Sequence, residues 1–259
     1  MLVLIGRFYI FIIDGIKRLL RVMSKESYEG NGILYGIGVG PGDAELMTLK
    51  AVRIIRECDI LILPTETKEN CYAYNIAKEA VKNIDDKEII CKKFLMTKDE
   101  KLLEESHRQI ACDIEKYLDE DKKVGFLTIG DPSIYSTFAY VQEILSEREK
   151  RVETISGIPS FCAAAARLGI SLSSGSDEIH IISANHDIEG TAEYKGTRIY
   201  MKSGKKLKEL IAYLKEEEKV RKFDVYIVAN CGMENERVWY GLTDESIPSE
   251  YLTIVIVKV

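Results

Sequence analysis

From Ile33 onward the chain alternates short apolar runs rich in β-branched residues with amphipathic stretches, and nothing else restricts its fold as much. Strands that alternate with helices in sequence assemble most simply as a parallel sheet covered by helices. Residues 33–39 (ILYGIGV) form the first predicted strand. Thr48 stands where a helix N-cap belongs, Leu49, Val52 and Ile55 recur at helical spacing, and residues 59–63 (DILIL) return as a second strand, completing one βαβ unit. Residues 72–81 predict a helix, 88–91 a short strand, 100–118 a long helix with a polar face, 123–129 (KVGFLTI) a buried strand, and 138–145 a helix running into the charged SEREKR. That charged stretch reads as a boundary between two halves.

The second half restarts with a strand at 152–155, turns through SGIPS, and enters an Ala-rich helix at 161–168 that Gly169 closes. Further strands are expected at 178–183, 197–202, 223–229 and 251–257. A helix at 206–218 carries Leu207, Leu210, Ile211 and Leu214 on one face. The expected architecture is α/β with two lobes, residues 32–147 and 152–259, each a mostly parallel or mixed sheet flanked by helices. The cleft between them is the natural ligand site. With 259 residues, 46% of them hydrophobic, the chain has enough apolar mass for a sizeable core, which argues against disorder.

Residues 1–31 stay outside this fold argument. The run MLVLIGRFYIFII is too short to span a bilayer comfortably, and its basic residues follow the apolar stretch instead of preceding it as in a signal peptide. It reads as an N-terminal extension, with Met23 as an alternative start, and no membrane partner is expected. A net charge of −6 without a Lys/Arg stripe argues against nucleic acid. Six cysteines without a C-x-x-C pair, most of them in apolar segments, read as reduced cytoplasmic thiols. His107, His180 and His186 lack the spacing of a zinc site, so no protein-bound metal is expected.

Chemistry is concentrated in three glycine-bearing turns. The first, Gly36-Ile-Gly38-Val-Gly40-Pro41-Gly42-Asp43, leaves the first strand; Pro41 and Asp43 stand where a dinucleotide fingerprint would need glycine. Gly38 and Gly40 offer a side-chain-free path along which a ligand can lie against backbone amides, or they simply permit a tight turn. The second, Gly130-Asp131-Pro132-Ser133-Ile134-Tyr135-Ser136-Thr137, again follows a buried strand, where ligands of open α/β sheets collect; Asp131 either caps the next helix or helps aim backbone groups into the cleft. The third, Ser156-Gly157-Ile158-Pro159-Ser160, opens the Ala-rich helix, whose small residues allow close approach to a neighbour or a ligand.

Together, LYGIGVGPGDAELMTLKAV at 34–52, GFLTIGDPSIYST at 125–137, SGIPSFCAAAARLG at 156–169 and NCGMENE at 230–236 resemble the tetrapyrrole methylase family, in the family's order and over residues 33–259. Their wording is nearest the branch that methylates precorrin-2 or cobalt-factor II at C20 on the way to the cobalamin ring. The resemblance implies a homodimer of two-lobed subunits holding S-adenosylmethionine in the cleft. By it, Pro41, Gly130, Asp131, Ile134, Pro159 and Ser160 line the cofactor site, and Met201 and Gly232 touch the cofactor from the second lobe. The uroporphyrinogen-methylating branch carries an aspartate motif after the second strand, where this chain reads ILPTE with Pro64 and nearby Glu66, which favours the C20 branch.

The substrate so implied is a tetrapyrrole, cobalt-bearing or metal-free, with propionate and acetate arms. Lys92, Lys93, Asn185 and Lys202, near predicted strand ends, are candidates to meet those arms, with solvated surface as the alternative. No catalytic residue is assigned beyond Tyr135 as a candidate to orient the ring. A same-fold methylase acting on protein or RNA, and a nonenzymatic nucleotide-binding module, remain the competing readings.

Overall fold

The computed structural model describes residues 30–95, 97, 99–184, 188–242, 247 and 249–259. Residues 1–29 of the expected extension, and Asn185 and His186, lie outside them.

The first sheet contains β1 (Ile33–Gly38), β2 (Ile60–Leu63), β3 (Glu88–Cys91), β4 (Lys123–Thr128) and β5 (Val152–Ile155). Its order is β3-β2-β4-β1-β5, and every pair is parallel. Both faces are covered, which is why the strands read as nearly unbroken apolar runs. On one face, α1 (Leu49–Glu57) and α2 (Tyr72–Ala80) bury Ile54, Ile55, Ile76 and Ala77 against Ile33, Ile37, Leu61 and Leu63. On the other, α3 (Glu100–Asp119) and α4 (Phe138–Glu147) bury Ile110, Ile114, Phe138 and Val141 against Leu34, Ile60, Ile62 and Phe126. Thr48 caps α1 as expected, its hydroxyl accepting from the Ala51 amide at 3.1 Å.

The expectation that the strand at 152–155 opens the second lobe is corrected. It pairs with β1, Leu34 against Val152 through Ile37 against Ile155, and so forms an edge of the first sheet. An unsatisfied strand edge recruits whichever backbone reaches it, and a charged turn does not mark where the chain changes sheets. The change falls one turn later, at Ser156–Pro159.

The second sheet holds β6 (Ile179–Ser183), β7 (Thr197–Met201), β8 (Asp224–Ala229), β9 (Arg237–Tyr240) and β10 (Thr253–Lys258) in the order β6-β7-β10-β8-β9. Only β6 and β7 run parallel; the other neighbours are antiparallel, so this sheet is mixed. Strand β9 was not expected. It closes a hairpin on β8, and the NCGMENE segment is the connecting turn. On one face, α5 (Ser160–Leu168) sets Phe161, Ala163 and Ala164 against Ile199, Val228, Ile254 and Ile256. On the other, α6 (Leu207–Glu218) sets Leu207, Leu210 and Leu214 against Tyr200, Val225, Val255 and Val257. Gly169 ends α5 at φ +67°, the left-handed conformation that its place in the sequence required. Arg198 is fully buried and meets Glu217 through two parallel 2.8 Å bonds, which ties β7 to α6.

Candidate active site

Strands β1 and β4 are neighbours, yet β1 leads to α1 on one face of the sheet and β4 to α4 on the other. Loops that leave adjacent strands toward opposite faces open a crevice at the carboxyl edge, the usual ligand position in an open α/β sheet. Here the two loops also bond to each other. Gly40 and Gly130 form an antiparallel bridge, the Gly130 amide donating to the Gly40 carbonyl at 2.7 Å and the Gly40 amide to the Gly130 carbonyl at 3.3 Å. Both glycines have positive φ, +79° and +71°. The first two glycine turns therefore share one end of their sheet.

The third turn joins them through Asp131. Its carboxylate is 8% exposed; one oxygen accepts from the Gly157 amide at 3.0 Å, the other from the Ser133 amide at 2.8 Å and hydroxyl at 2.5 Å. The N-cap position of helix α4 is Thr137, so Asp131 is a cross-link between turns and not its cap. The backbones are packed so closely that a Cβ on Gly157 would lie 2.1 Å from the Gly130 carbonyl oxygen, and one on Gly38 would lie 2.6 Å from it.

These turns wall a cavity of about 470 Å³ between the two sheets. Pro41, Gly130, Asp131, Ile134, Pro159, Ser160 and Met201, the candidate cofactor residues, all line it except Gly232. Gly232 sits behind the wall, where a Cβ would come within 2.7 Å of the Asp43 amide nitrogen; its neighbour Cys231 reaches the cavity instead. Glu236 fixes that turn by accepting from the Gly232 amide at 2.8 Å and from Arg167 at 2.5 Å. Burial pushes the Glu236 carboxyl up, but those partners outweigh it and hold the group below the usual carboxylate range. Burial pushes the cavity thiols Cys71 and Cys231 up, Cys231 to about 11, which favours the neutral thiol over the nucleophilic thiolate.

The candidate substrate residues separate. Tyr135 and Lys202 line the cavity. Gly38 and Gly40 do not: they serve the packing and bonding of the turns behind it. Lys92 pairs with Asp113 on α3 at 2.7 Å and Lys93 with Glu66, and neither lines the cavity. Asn185 falls outside the described residues. Sequence reasoning missed Asn70, Cys71 and Tyr72 at the start of α2, and Tyr251 to Ile254 at the start of β10. The former follow the carboxyl end of β2, a positional signal that was available. The latter enter only because β10 lies at the centre of the second sheet. Pro64 and Thr65 of ILPTE line the cavity as well.

Residues 33–246 match the family model described as Tetrapyrrole (Corrin/Porphyrin) Methylases. The chain belongs to the tetrapyrrole methylase family. A probable cobalt-precorrin-2 C(20)-methyltransferase from Methanocaldococcus jannaschii is 35% identical over 229 residues, 87% of this chain and 95% of that protein. Among solved structures, a cobalt precorrin-4 methyltransferase covers 87% of this chain and 94% of its own, at TM-score 0.68 and 16% identity. The uroporphyrin-III C-methyl transferase from Thermus thermophilus complexed with S-adenosyl homocysteine covers 88% and 97%, at TM-score 0.65 and 18% identity. Those two neighbours share with this tetrapyrrole methylase the two-sheet α/β architecture. Among the described residues no cluster of His, Cys, Asp and Glu could hold a metal ion, and no helix is long and apolar enough to cross a membrane.

Proposed function

We propose that this chain transfers a methyl group from S-adenosylmethionine to C20 of a cobalt-bearing precorrin-2 ring during corrin construction, as a cytoplasmic homodimer. The observation that carries the reading is the convergence of the three glycine turns on one interlobe cavity. Its volume lies within the roughly 300–1,000 Å³ of small-molecule clefts. Its lining suits the donor: Ile129, Ile134, Pro41 and Pro159 offer apolar faces for a flat base, and Asn70, Thr128, Thr137 and Ser160 offer hydrogen bonds for ribose and an amino-acid tail. A Cβ on Gly130 would meet nothing closer than 4.0 Å, so this backbone borders open space into which a ligand can press. Bound there, S-adenosylmethionine would supply an electrophilic methyl carbon and leave as S-adenosylhomocysteine, with the proton of the methylated ring carbon released to water or a ring nitrogen.

What the chain itself contributes is alignment. The tetrapyrrole's meso carbon is electron-rich, and holding it in line with the methyl is the kind of proximity effect worth about 7–11 kcal/mol in favourable intramolecular cases. Asp131 is a positioning residue in this scheme, holding the second and third turns in register. Tyr72, Tyr135 and Tyr251, all lining the cavity and between 42% and 62% exposed, supply flat apolar faces against which a macrocycle can settle. The choice of C20 and of a cobalt-loaded ring is supported by the name of the Methanocaldococcus relative and its near-complete coverage. The six unpaired cysteines are compatible with a reducing compartment.

The test incubates the protein with labelled S-adenosylmethionine and, separately, cobalt-loaded reduced tetrapyrrole, metal-free reduced tetrapyrrole and bulk RNA, locating the methylated carbon by NMR. Label at C20 of the cobalt-loaded ring is expected. Label in RNA, or at another ring carbon, overturns the reading. Light scattering at twice the mass of one chain is the result expected for the dimer.

A further inference from the structure

We propose that Lys202 is the receptor for one carboxylate arm of the macrocycle, held at the cavity wall by the main-chain carbonyl of Tyr135 until the arm arrives; this rests on the cavity being a tetrapyrrole methylation site.

Lys202 follows the last residue of β7 and Tyr135 lies in the loop after β4, so they come from different sheets. Each reaches across to the other lobe. The Lys202 ammonium donates to the Tyr135 carbonyl at 2.7 Å and sits 5.9 Å from the centre of its ring, while the Tyr135 hydroxyl donates to the Ile181 carbonyl of β6 at 3.1 Å. Both residues have left-handed backbones, φ +55° and +48°, which side chains of this size adopt only where the surrounding structure demands it. Non-glycine residues in that conformation concentrate at ligand clamps. Two of them, bonded to each other across an interlobe cavity, make a built feature.

Among the described residues the charge on Lys202 has no counterion. Lys92 pairs with Asp113, Lys93 with Glu66 and Lys150 with Asp119, whereas no carboxylate of the described residues lies within ion-pair distance of Lys202. Among the described residues the other charged side chain lining the cavity, Asp131, has its oxygens committed to Gly157 and Ser133. The remaining titratable lining groups are the thiols of Cys71 and Cys231 and the phenols of Tyr72, Tyr135 and Tyr251, none of which is a carboxylate. Burial accordingly holds the Lys202 ammonium below its ordinary pKa. A carbonyl takes one of an ammonium's three N–H bonds and leaves donors for an anion. A half-desolvated cation gains more from an incoming carboxylate than a surface lysine does, because the local dielectric is lower. Met201, the preceding residue, lines the same cavity, so the captured arm would set the distance between ring and methyl donor.

The experiment titrates uroporphyrin III, a carboxylated tetrapyrrole, into the wild type, Lys202→Met and Lys202→Arg, following fluorescence and heat with S-adenosylhomocysteine present. Lys202→Met is expected to weaken binding about ten- to a hundredfold, the range for loss of a charge-assisted hydrogen bond. Lys202→Arg should retain most of the affinity, and the fully esterified porphyrin should not distinguish the three proteins. Because a bound carboxylate raises the ammonium's pKa again, binding to the wild type at alkaline pH should take up protons, read from calorimetry in two buffers, and Lys202→Met should lose that uptake. Protection of Lys202 from amine acylation by uroporphyrin III, followed by mass spectrometry on the wild type, gives a reading that needs no variant. Wild-type binding with unaltered Lys202→Met affinity, or no protection, overturns the inference and leaves the functional reading standing. Failure of the wild type to bind or methylate any carboxylated tetrapyrrole overturns both.

Discussion

Replacing Asp131 by alanine should loosen the site before it loosens the fold. The substitution removes the acceptor of the buried Gly157 amide, and that costs about 1–3 kcal/mol. The Ser133 amide and hydroxyl, part-buried, lose their acceptor as well but can turn to solvent, which limits their contribution to about 1 kcal/mol together. A total of about 2–4 kcal/mol lowers the thermal midpoint by roughly 5–15 °C in a protein of this size and leaves it folded at 25 °C. The larger effect is expected in binding. With Gly157 released from the second turn, the walls that carry Gly130, Pro159 and Ser160 lose their mutual register. Affinity for S-adenosylhomocysteine, measured by titration calorimetry, should fall at least tenfold, about 1.4 kcal/mol. Asp131→Asn keeps one acceptor and turns a donor toward one of the amides, so it should fall between wild type and alanine. A folded Asp131→Ala protein with wild-type midpoint and wild-type affinity would refute the claim that this carboxylate organises the cleft.

Three further outcomes follow from the packing. Gly38→Ala places a methyl 2.6 Å from backbone atoms of both Gly130 and Gly157 and should cost about 1–3 kcal/mol in denaturant unfolding together with loss of S-adenosylhomocysteine binding, whereas Gly169→Ala, with nothing within 4 Å, should cost only about 1 kcal/mol of backbone strain and spare binding. Arg198→Met takes both short bonds from the buried Glu217 and leaves it only Arg221 at 3.6 Å, so it should cost about 3 kcal/mol by urea denaturation, most of it recovered in the double variant Arg198→Met/Glu217→Leu. Burial holds the His107 imidazole below its ordinary 6.5, so the unfolded chain takes up that proton first and stability falls as pH drops below about 6.5; His107→Phe, which keeps the ring stacked on Tyr140, should flatten that part of the pH profile of the unfolding free energy.

Much of this molecule was legible before any coordinates. Strand and helix positions could be read because buried parallel strands need unbroken apolar runs and surface helices need a 3.6-residue stripe, both local properties of the chain. The short β9 could not, since Arg237–Tyr240 has no run long enough to stand out and exists because β8 offers it an unpaired edge. The three glycine turns announced themselves by composition and by their place after predicted strands, while the wall-forming role of Pro41, Gly130 and Pro159 was implied only by the resemblance to the tetrapyrrole methylases. The four polar candidates were beyond sequence reasoning, because a lysine's role depends on which carboxylate is nearest in space.

The sequence by itself determined every strand but β9, the main helices, their α/β alternation and the family to which they belong, because each is written in local periodicity and in the order of contiguous motifs. Only the tertiary structure decided that β5 joins the first sheet, that the second sheet is mixed, that Asp131 bonds to Gly157 across 26 positions of chain, and that Lys202 stands in the cavity while Lys92 and Lys93 do not. Those outcomes depend on which edges and charges remain unsatisfied once the local elements have formed, and that competition is settled between segments far apart in the chain.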